Sequence, residues 1–546
     1  MTDQSKQGTE GAPGVISPGL LVALVAGALL LGTGVGFALQ ATPSGGGDGA
    51  LAAVEAPGDR FRAQFATETI FPEFSPDQRR YVTRCGPGGT LVRANATEGA
   101  RVRVEGNRPA TGRFEVEARA LPGQDFRVSV SGAGPALDGA YSIRCLPTGF
   151  PEWDYGRFAR PPRGMFVVAL RPWPTEGNRS WTIVFDQDGL PRWWRSSDIN
   201  ALWAEILPDG RLAWGRGFGD GFGQDSRTAI EVTDLADGRS ELVRTVGTAN
   251  DSHEFVRLPN GDSLVMSYRP RFGVDLSRFG LGKSEGVLDG EIQQVDPQGT
   301  VVWRWNSGDH IGLGETPPRW WEKVAINPHR DAAGRDRYDV FHLNSIQPIP
   351  GGLLLLSARH TDAVFAISRR TGEVVWKLGG TRTGRSLEVT GPDPHRDDPL
   401  SGNHDARLTG DVLTVHDNGT RAERPPRLVR YRIDPEAGTA TFLSEVEAPA
   451  DVPYSHCCGS ARRFGTGWLV SWGDSRVVAG YDARDELAFR LWLAAPSYRA
   501  VPVPRTVRAA TFDRALDAVE DAPGRPSRAI GPPDRPPFKS EWSYTG

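Results

Sequence analysis

One short pattern recurs from residue 160 onward: a turn glycine followed closely by a large apolar residue. It is plain in DGLPRW, QGTVVW and TGEVVW, weaker in DGRSEL and AGTATF, and degenerate in DELAF. A second turn signal alternates with it and precedes a short hydrophobic stretch each time, at LPDG, LPNG, IPGG, LTGD and FGTG. Two alternating turn types, with almost no helical periodicity, are typical of a β-propeller with four strands per blade. The sequence therefore predicts an all-β fold with a six-bladed β-propeller over 160–498.

The segment before the propeller has a different pattern. Residues 60–150 contain alternating stretches such as RVRVEG, RFEVEARAL and FRVSVSG, separated by turn clusters. This alternation is typical of half-buried strands, so we expect a small β-sandwich domain there. The stretch MFVVALR and a strand near the C-terminal end are expected to share one blade and close the ring. We expect residues 499–546, rich in Pro and Arg, to form a tail that wraps the surface or is partly disordered.

The N-terminal region contains a long uncharged run at 20–39, LLVALVAGALLLGTGVGFAL. Its length matches a membrane-spanning helix. A cleaved signal peptide is the alternative, but its apolar core is usually about 7–15 residues long and no clean small-x-small site follows. We therefore expect a cytoplasmic N-terminus at 1–19, a transmembrane anchor at 20–39 and a flexible linker at 40–59. Lys6 precedes the run and no basic residue follows until Arg60, which favours a cell-membrane protein whose bulk lies outside the cytoplasm.

Charge and cysteine content narrow the choice of partners and compartment. The net charge of −4 comes from mixed signs, and no basic stripe for nucleic acid is present. Cys85 and Cys145 bracket the predicted sandwich and could be joined by a disulfide in an oxidising compartment. Cys457 and Cys458 are adjacent and could form a vicinal disulfide or remain two thiols.

Four of the nine histidines occupy the same position in successive repeats. His253, His342, His404 and His456 each lie four to eight residues before one of the second turn signals. Because equivalent positions in propeller blades are related by rotation about the central axis, we expect these side chains to converge on one mouth of the channel. The other histidines lie in varied contexts and are expected to have no role in the site: His310, His329, His360, His395 and His416.

Polar residues beside these histidines suggest the chemistry of the site. His342 and Asn344 are two residues apart and point to the same face of a strand, and Arg359 ends the stretch GGLLLLSAR. Several imidazoles with one guanidinium and one amide make a donor-rich pocket that suits sulfate, phosphate or carboxylate. A zinc site is disfavoured because the arginine would repel the metal. No Gly-rich phosphate loop, G-x-S-x-G or H-E-x-x-H motif is present, so we expect neither a cofactor nor a metal.

Four stretches resemble, in order, the motifs of the bacterial arylsulfate sulfotransferase family. They are DSHEFVRLPNGDSLVM, FHLNSIQPIPGGLLLLSARHTDAVFAISRRTGEVVWKLGG, GNHDARLTGDVLTVHDNG and GSARRFGTGWLVSWG. The resemblance covers 160–495 and is closest to an actinobacterial branch. It implies a six-bladed propeller with a small N-terminal β domain that works outside the cytoplasm. It also implies transfer of a sulfuryl group from a phenolic sulfate ester to a phenolic acceptor, without a nucleotide sulfate donor.

The same resemblance assigns roles to individual residues. His404 in GNHDAR corresponds to the nucleophile, which becomes transiently sulfated on nitrogen. His342 and Asn344 in HLNS, with Arg359 in SAR, correspond to the groups that hold the sulfate and assist proton transfer. His253 in DSHEF corresponds to the remaining active-site histidine. The segments between the motifs are shorter than in enteric family members and the N-terminal module is different, so the donor and the acceptor remain open. The sequence also leaves the oligomeric state open.

Two other functions remain open from the sequence. Quinone-cofactor dehydrogenases are also propellers with repeats like TGEVVW, and some carry an adjacent cysteine pair. The repeats visible here are fewer than those enzymes have, and phased histidines are not their pattern. The second alternative is a non-catalytic propeller that binds a partner or a cell-surface polymer. His456 corresponds to no catalytic position in the resemblance.

Overall fold

The structure is a computed structural model, and it describes residues 61–171, 179–218, 223 and 225–520. The predicted anchor at 20–39 and the linker at 40–59 lie outside the described residues, as does the tail after residue 520. In the described part of the chain, no helix has both the length and the apolar character needed to cross a membrane.

Two sheets form the N-terminal region. The first has the strand order Ala63–Ala66, Thr90–Ala96, Gly112–Ala118, and the second has the order Arg80–Arg84, Gly139–Leu146, Asp125–Ser131, Arg101–Val104. The alternation in RVRV is reproduced in the burial of Arg101–Val104, where the valines are buried and the arginines exposed. Phe65, Tyr81 and Tyr141 pack into one core beside the disulfide between Cys85 and Cys145.

Six further sheets follow within the described residues, each with a four-stranded antiparallel meander or its equivalent. The bounds of their strands, sheet by sheet, are Met165–Leu170, Ser180–Asp186, Pro191–Ser197 with Ser497–Pro502; Asn200–Ile206, Leu212–Gly217, Ala229–Thr233, Ser240–Val243; Asn250–Arg257, Ser263–Val274, Glu285–Val295, Val301–Asn306 with His329–Arg330 and Asp336–Tyr338; Leu343–Ile349, Leu353–Ala358, Ala363–Ser368, Val374–Gly379; His404–Thr409, Val412–Asp417, Arg427–Asp434, Thr439–Glu447 with Glu388–Thr390; and Ser460–Phe464, Gly467–Ser471, Val477–Tyr481, Leu487–Leu493 with Trp153–Arg157.

Helices are short and lie in the connections between strands, except for one that follows the last strand. The α-helices are Ser307–His310, Trp321–Ala325 and Ala509–Glu520, and the 3-10 turns are Ser277–Phe279, Leu313–Glu315, Pro318–Trp320, Arg359–Thr361 and Gly473–Ser475. Strands dominate the described residues, so the predicted all-β fold is confirmed.

In each of the six sheets, one strand contacts the corresponding strands of two other sheets. We call these six strands the inner strands. They are Asn200–Ile206, Asn250–Arg257, Leu343–Ile349, His404–Thr409, Ser460–Phe464 and Ser497–Pro502. Each contacts the next in this order and the last contacts the first, which is a propeller-like arrangement.

Chain closure comes from the C-terminal part of the protein. Ser497–Pro502 pairs antiparallel with Met165–Leu170, which confirms the predicted pairing of MFVVALR with a late strand. The strand Ser497–Pro502 extends past residue 498, where the sequence predicted that the propeller ends. In the described part of the tail, Phe512 is fully buried against the first of the six sheets.

Candidate active site

Irregular pairing marks the inner strands near their N-terminal ends. Five of them shift register against their neighbour, at Ala201–Ala204, Asp251–Phe255, Leu343–Ser345, His404–Arg407 and Ser497–Ala500. Such bulges insert an extra residue and redirect side chains, and they are common beside active sites. His253, Asn344 and Tyr498 lie inside these irregular segments. Polar groups therefore enter the centre of the ring at positions that regular strands would fill with alternating apolar residues.

His404 begins its inner strand and is almost fully buried. Its Nδ1 lies 2.8 Å from the carbonyl oxygen of Gly402 and 2.8 Å from Oδ1 of Asn418. Because a carbonyl oxygen can only accept, Nδ1 carries the proton and Nε2 carries the lone pair. Burial, and after it the positive charge of Arg359, holds the pKa of His404 well below its ordinary value. His404 is therefore a neutral imidazole with a basic Nε2.

A loop from the next sheet covers Nε2 of His404. The backbone N–H of Cys458 donates to this nitrogen over 3.1 Å. Cys458 has a left-handed φ of 69° and is joined to Cys457 by a vicinal disulfide. Nδ2 of Asn418 donates to Oγ of Ser455 at 2.9 Å and to the carbonyl of Cys458 at 3.1 Å. One amide side chain thus orients both His404 and the loop that faces it.

Two further histidines are held by carboxylates. Nδ1 of His342 lies 2.5 Å from Oδ2 of Asp339, and Nδ1 of His253 lies 2.6 Å from Oδ1 of Asp251. The rings of His253 and His342 meet edge to face with centroids 4.9 Å apart, and the ring of His360 lies 4.8 Å from that of His342. A carboxylate at Nδ1 fixes the tautomer in which Nε2 is the basic nitrogen.

Electrostatics support a neutral His342 beside an ionised Asp339. Burial alone would raise the pKa of Asp339, but the charge interaction and hydrogen bond with His342, together with the charges of His360 and His329, lower it below the ordinary range. Burial also lowers the pKa of His342, against the opposing effect of Asp339. His342 is thus able to accept a proton at Nε2 while Asp339 keeps the ring in place.

Asn344 lies on an inner strand and Arg359 begins the 3-10 turn after the adjoining strand, and both approach the same cluster. Nη1 of Arg359 lies 3.0 Å from Nε2 of His360, and Nη2 donates to the carbonyl of His456 over 2.6 Å. Nδ2 of Asn344 donates to the carbonyl of Asn403, the residue before the candidate nucleophile, over 2.8 Å. Within the described residues, the buried Oδ1 of Asn344 has no hydrogen-bond partner. The guanidinium and the amide together provide donors suited to an oxyanion.

Tyr498 completes the wall between two of the histidines. Its ring centroid lies 5.4 Å from that of His253 and 6.0 Å from that of His404. Its buried hydroxyl has no hydrogen-bond partner among the residues that the structure describes. Because burial raises its pKa above the ordinary value, Tyr498 can act as a donor but not as a phenolate.

A layer of alternating charges adjoins the site, in which Glu254, Asp405 and Arg499 are buried and Glu205, Arg407 and Arg462 are partly exposed. Nη1 of Arg499 lies 3.0 Å from Oε1 of Glu254, and its Nη2 donates to the carbonyl of Asn344 over 2.5 Å. Burial raises the pKa of Glu205 to about 7. This layer joins several inner strands and connects directly to the polar cluster.

One group of residues has the ligand types of a metal site. Nitrogen and oxygen atoms of Asp339, His342 and His360 lie within 4.8 Å of one another. Their atoms are already engaged, since Nδ1 of His360 bonds the carbonyl of Asp339 at 2.8 Å and Nε2 faces Arg359. A guanidinium at this position also repels a cation. The group fits a hydrogen-bonded relay better than a metal centre.

Comparison with known proteins assigns this arrangement to a family. A sequence profile described as arylsulfotransferase (ASST) matches residues 207–494, which is more than half of the chain. The chain belongs to the arylsulfotransferase family. The matched region contains the histidine cluster, Arg359 and Asn344, and it favours a sulfotransferase over the quinone dehydrogenase and the non-catalytic propeller. A search of the curated proteins found no significant match.

Solved structures resemble this arylsulfotransferase-family chain only distantly. A putative 6-phosphogluconolactonase from Bacteroides fragilis is 11% identical and has a TM-score of 0.37, with 63% of this chain and 98% of that one covered. The β-propeller domain of Cps50 from Myceliophteria thermophila is 12% identical and has a TM-score of 0.32, with coverage of 64% and 90%. Likeness of this degree supports no statement about function.

The structure brings the predicted site residues of the arylsulfotransferase-family chain into one connected set of contacts: His253, His342, Asn344, Arg359 and His404. His456 differs from these residues, because its backbone carbonyl receives Arg359 while its side chain is 44% exposed and pairs with Asp474. The position of His456 in the repeat therefore predicted that this residue lies near the site. It did not predict that the imidazole is partly exposed and pairs with Asp474.

Sequence reasoning assigned no role to several residues that the structure places in the site: Asp251, Asp339, His360, Asn418, Cys458 and Tyr498. A signal existed for the two aspartates, because D-x-H and D-x-x-H spacing places a carboxylate within reach of Nδ1 of the histidine in a turn or bulge. Neither Tyr498 nor the N–H of Cys458 has any such signal, since their roles depend on how separate strands meet.

Proposed function

We propose that this protein moves a sulfuryl group from a phenolic sulfate ester to a phenolic acceptor through a sulfated His404, without a nucleotide donor. The observation that carries the proposal is the neutral, buried imidazole of His404, whose protonated Nδ1 is held by two oxygens while Nε2 keeps its lone pair. A neutral imidazole is a competent nucleophile. The six sheets then act as the blades of one propeller whose inner strands hold the site.

In the first half-reaction, Nε2 of His404 attacks sulfur in line with the bond to the aryl oxygen. The N–S bond forms, the S–O bond to the ring breaks, and its electron pair leaves with the phenolate. The proton on Nδ1 stays in place between Gly402 and Asn418, where it balances charge on the sulfated ring.

Three donors suit the oxygens of the transferring group: the guanidinium of Arg359, the second N–H of Nδ2 of Asn344, and the N–H of Cys458, which is the one shown at Nε2. The guanidinium of Arg359 and the amide of Asn344 hold two of them, and the N–H of Cys458 moves from Nε2 to a third as the N–S bond forms. Donors that are already oriented stabilise developing charge without reorganisation, and loss of one such group costs roughly 10²–10³-fold in rate. The disulfide-linked loop thus supplies a positioned donor.

In the second half-reaction, the acceptor hydroxyl attacks the sulfur of the sulfated His404 and the N–S bond breaks. Nε2 of His342 takes the acceptor's proton, while Asp339 on Nδ1 stabilises the imidazolium that results. Because a phenol has a pKa of about 10, a base near neutral pH assists this step. His253 contacts His342 edge to face and is placed to pass the proton onward.

The decisive experiment follows the release of 4-nitrophenolate from 4-nitrophenyl sulfate by the purified full-length chain, with phenol as acceptor. We expect turnover in the wild type and a loss on the order of 10³-fold or more in His404→Asn, because the nucleophile is removed. Mass spectrometry of the quenched enzyme should find a sulfate adduct on the peptide that contains His404.

His395→Asn is the matched control, because His395 lies outside the cluster and forms its hydrogen bonds with Asp393 and Asp398 through the backbone. It should retain the wild-type rate. A His404→Asn variant with most of the wild-type rate would show that the sulfated intermediate is wrong, and an inactive wild type would show that the substrate class is wrong.

We also propose that residues 20–39 anchor the protein in the cell membrane with residues 60–498 outside the cytoplasm. The apolar run and its flanking charge support this orientation, and the paired Cys85 and Cys145 suit an oxidising compartment. The full-length protein should remain with membranes after alkaline extraction and be digested by protease added outside spheroplasts. Recovery in the soluble fraction would contradict the anchor.

A further inference from the structure

Trp320 forms a fixed platform beside the groups that hold sulfate. It lies in the short helical insert between the strands Val301–Asn306 and His329–Arg330 of the third sheet and is fully buried. Its Nε1 donates to Oδ1 of Asp362 over 2.8 Å, and its ring lies 4.8 Å from that of His360. The guanidinium carbon of Arg359 lies 4.6 Å from the centroid of the indole. The ring therefore supports the proposed sulfate-binding arginine through a cation–π contact.

A second guanidinium uses the same indole. The guanidinium carbon of Arg421 lies 5.8 Å from the ring centroid of Trp320, and Arg421 is exposed to solvent. Arg421 follows Thr420, whose hydroxyl donates to the carbonyl of Ser455 at 3.0 Å. The loop that carries Arg421 also carries Asn418, the partner of the nucleophile. Arg421 is thus placed at the outer side of the site by a loop that is anchored at its inner end.

A third cation completes the group. Lys323 lies in the helix Trp321–Ala325, directly after Trp320, and is one of only five lysines in the chain. Burial, and after it the positive charges of Arg359 and Arg421, lowers the pKa of Lys323. Lys323 lies three residues after Trp320 on the same helical insert, and both guanidinium groups contact the indole of Trp320. We call Lys323 and Arg421 the cationic rim.

Two buried or partly buried carboxylates near the rim are engaged by Arg319, and the exposed Glu322 and Glu423 beside the rim residues in the chain make no ion pair with them among the described residues. Asp362 receives Nε of Arg319 at 2.7 Å in addition to Trp320, and Asp398 is bound by the same arginine. Neither Lys323 nor Arg421 makes an ion pair with a residue that the structure describes. Like charges without counter-charges repel one another, and the repulsion is strongest where solvent is partly excluded. An anionic group in the ligand relieves this repulsion.

We propose that the cationic rim binds a second negative group on the phenolic substrate, so that the preferred donor or acceptor is an anionic phenol bearing a carboxylate, sulfate or phosphate. This inference rests on the proposed transfer at His404 and names its substrate class. Arg359 holds the transferring sulfuryl group, and the rim holds the charge attached to the other side of the aromatic ring. Neutral phenols use only the first of these contacts.

The test compares two acceptors that differ only in charge, 4-hydroxyphenylacetate and 4-hydroxyphenylacetamide, with 4-nitrophenyl sulfate as donor. The methylene group keeps the acidity of the two phenolic hydroxyls alike. We expect kcat/KM of the wild type to favour the carboxylate at least tenfold at low ionic strength and to lose this preference as salt screens it. The double variant Lys323→Gln/Arg421→Gln should reduce the preference at least tenfold.

Lys283→Gln/Arg484→Gln is the matched control, because it removes the same two charge types from exposed positions away from the site. It should keep the wild-type preference. A wild-type preference near one, or a preference that the rim variant leaves intact, overturns the proposal.

Binding is measured in parallel, so that the rim can be judged even if the proposed transfer fails. Calorimetry gives the Kd of each acceptor for the full-length wild type and for the rim variant. If the wild type binds 4-hydroxyphenylacetate at least tenfold more tightly than the rim variant does, the result supports anion binding by the cationic rim. Equal Kd values overturn it. An absence of sulfation with both acceptors overturns the transfer at His404 instead.

Discussion

At the scale of single residues, the protonation state of His404 follows from its two partners at Nδ1. Asn418→Asp replaces the amide oxygen with a carboxylate, which stabilises the imidazolium and raises the pKa of His404. Because the nucleophile is the neutral form, its protonation removes activity as pH falls. The wild-type kcat/KM for the donor should therefore fall only well below the ordinary histidine pKa of about 6.5.

In Asn418→Asp this acid limb should move up by one pH unit or more, as measured by the pH profile of 4-nitrophenolate release. The amide also donates to the loop at Cys458, so the plateau rate should fall as well. A variant whose acid limb stays at the wild-type pH would show that another group controls the profile.

His416 gives a residue-scale prediction about stability. Neither of its buried ring nitrogens has a hydrogen-bond partner among the described residues, and burial lowers its pKa to about 4. An unfolded histidine binds a proton at higher pH than this folded one, so His416 destabilises the fold as pH falls from about 6.5 to about 4. The effect is about 2 kcal/mol at pH 5.

His416→Phe should remove that part of the pH dependence. The difference between the free energies of unfolding at pH 7 and pH 5, from urea titration, should shrink by about 2 kcal/mol. An unchanged difference in His416→Phe would mean that His416 does not stay neutral in the folded protein.

At the scale of elements, the loop with the vicinal disulfide controls one donor at Nε2. The disulfide constrains the backbone of Cys457 and Cys458, and this backbone aims an N–H at His404. In Cys457→Ser/Cys458→Ser the N–H is no longer held in place, so kcat for 4-nitrophenyl sulfate should fall roughly 10- to 100-fold. Stopped-flow measurement of 4-nitrophenolate release would record the loss.

A phosphine reductant separates this disulfide from the one in the N-terminal region. It should lower the wild-type rate to that of the double serine variant and leave the variant unaffected, although Cys85 and Cys145 remain reducible in both. Equal sensitivity of the two proteins would place the effect at Cys85–Cys145.

At the scale of the whole molecule, the buried charges hold the inner strands together. Arg499 comes from the strand that closes the ring, and it contacts Glu254 and the carbonyl of Asn344 on two other inner strands. Arg499→Met leaves Oε1 of the buried Glu254 without its partner while Arg407 still binds Oε2, so the free energy of unfolding should fall by about 3 kcal/mol, the low end of the cost of breaking a buried pair. Urea titration monitored by tryptophan fluorescence would measure this loss.

Arg432→Met is the control, because Arg432 pairs with Asp411 where both side chains are more than half exposed. Exposed pairs contribute about 0–1 kcal/mol, so this variant should unfold close to the wild type. A similar, small effect in both variants would show that the central charges do not stabilise the ring.

Local sequence patterns determined much of this protein. Turn glycines and the alternation of apolar residues act over a few positions, so they were enough to predict an all-β chain with strands paired by short turns. The stretches around His253, His342 and His404 also carry the family resemblance, because the motif residues are contiguous in the chain. Arg359 and Asn344 were predicted for the same reason.

Only the tertiary structure decided which groups meet these residues. Cys458 lies 54 residues from His404 and faces it through a backbone N–H that no side-chain pattern encodes. Arg421 comes near Arg359 because a distant loop brings its guanidinium to the same indole of Trp320. The bulges in the inner strands depend on the packing of neighbouring sheets. Contacts of this kind arise from the paths of separate segments, so they follow from the folded chain and not from any local pattern.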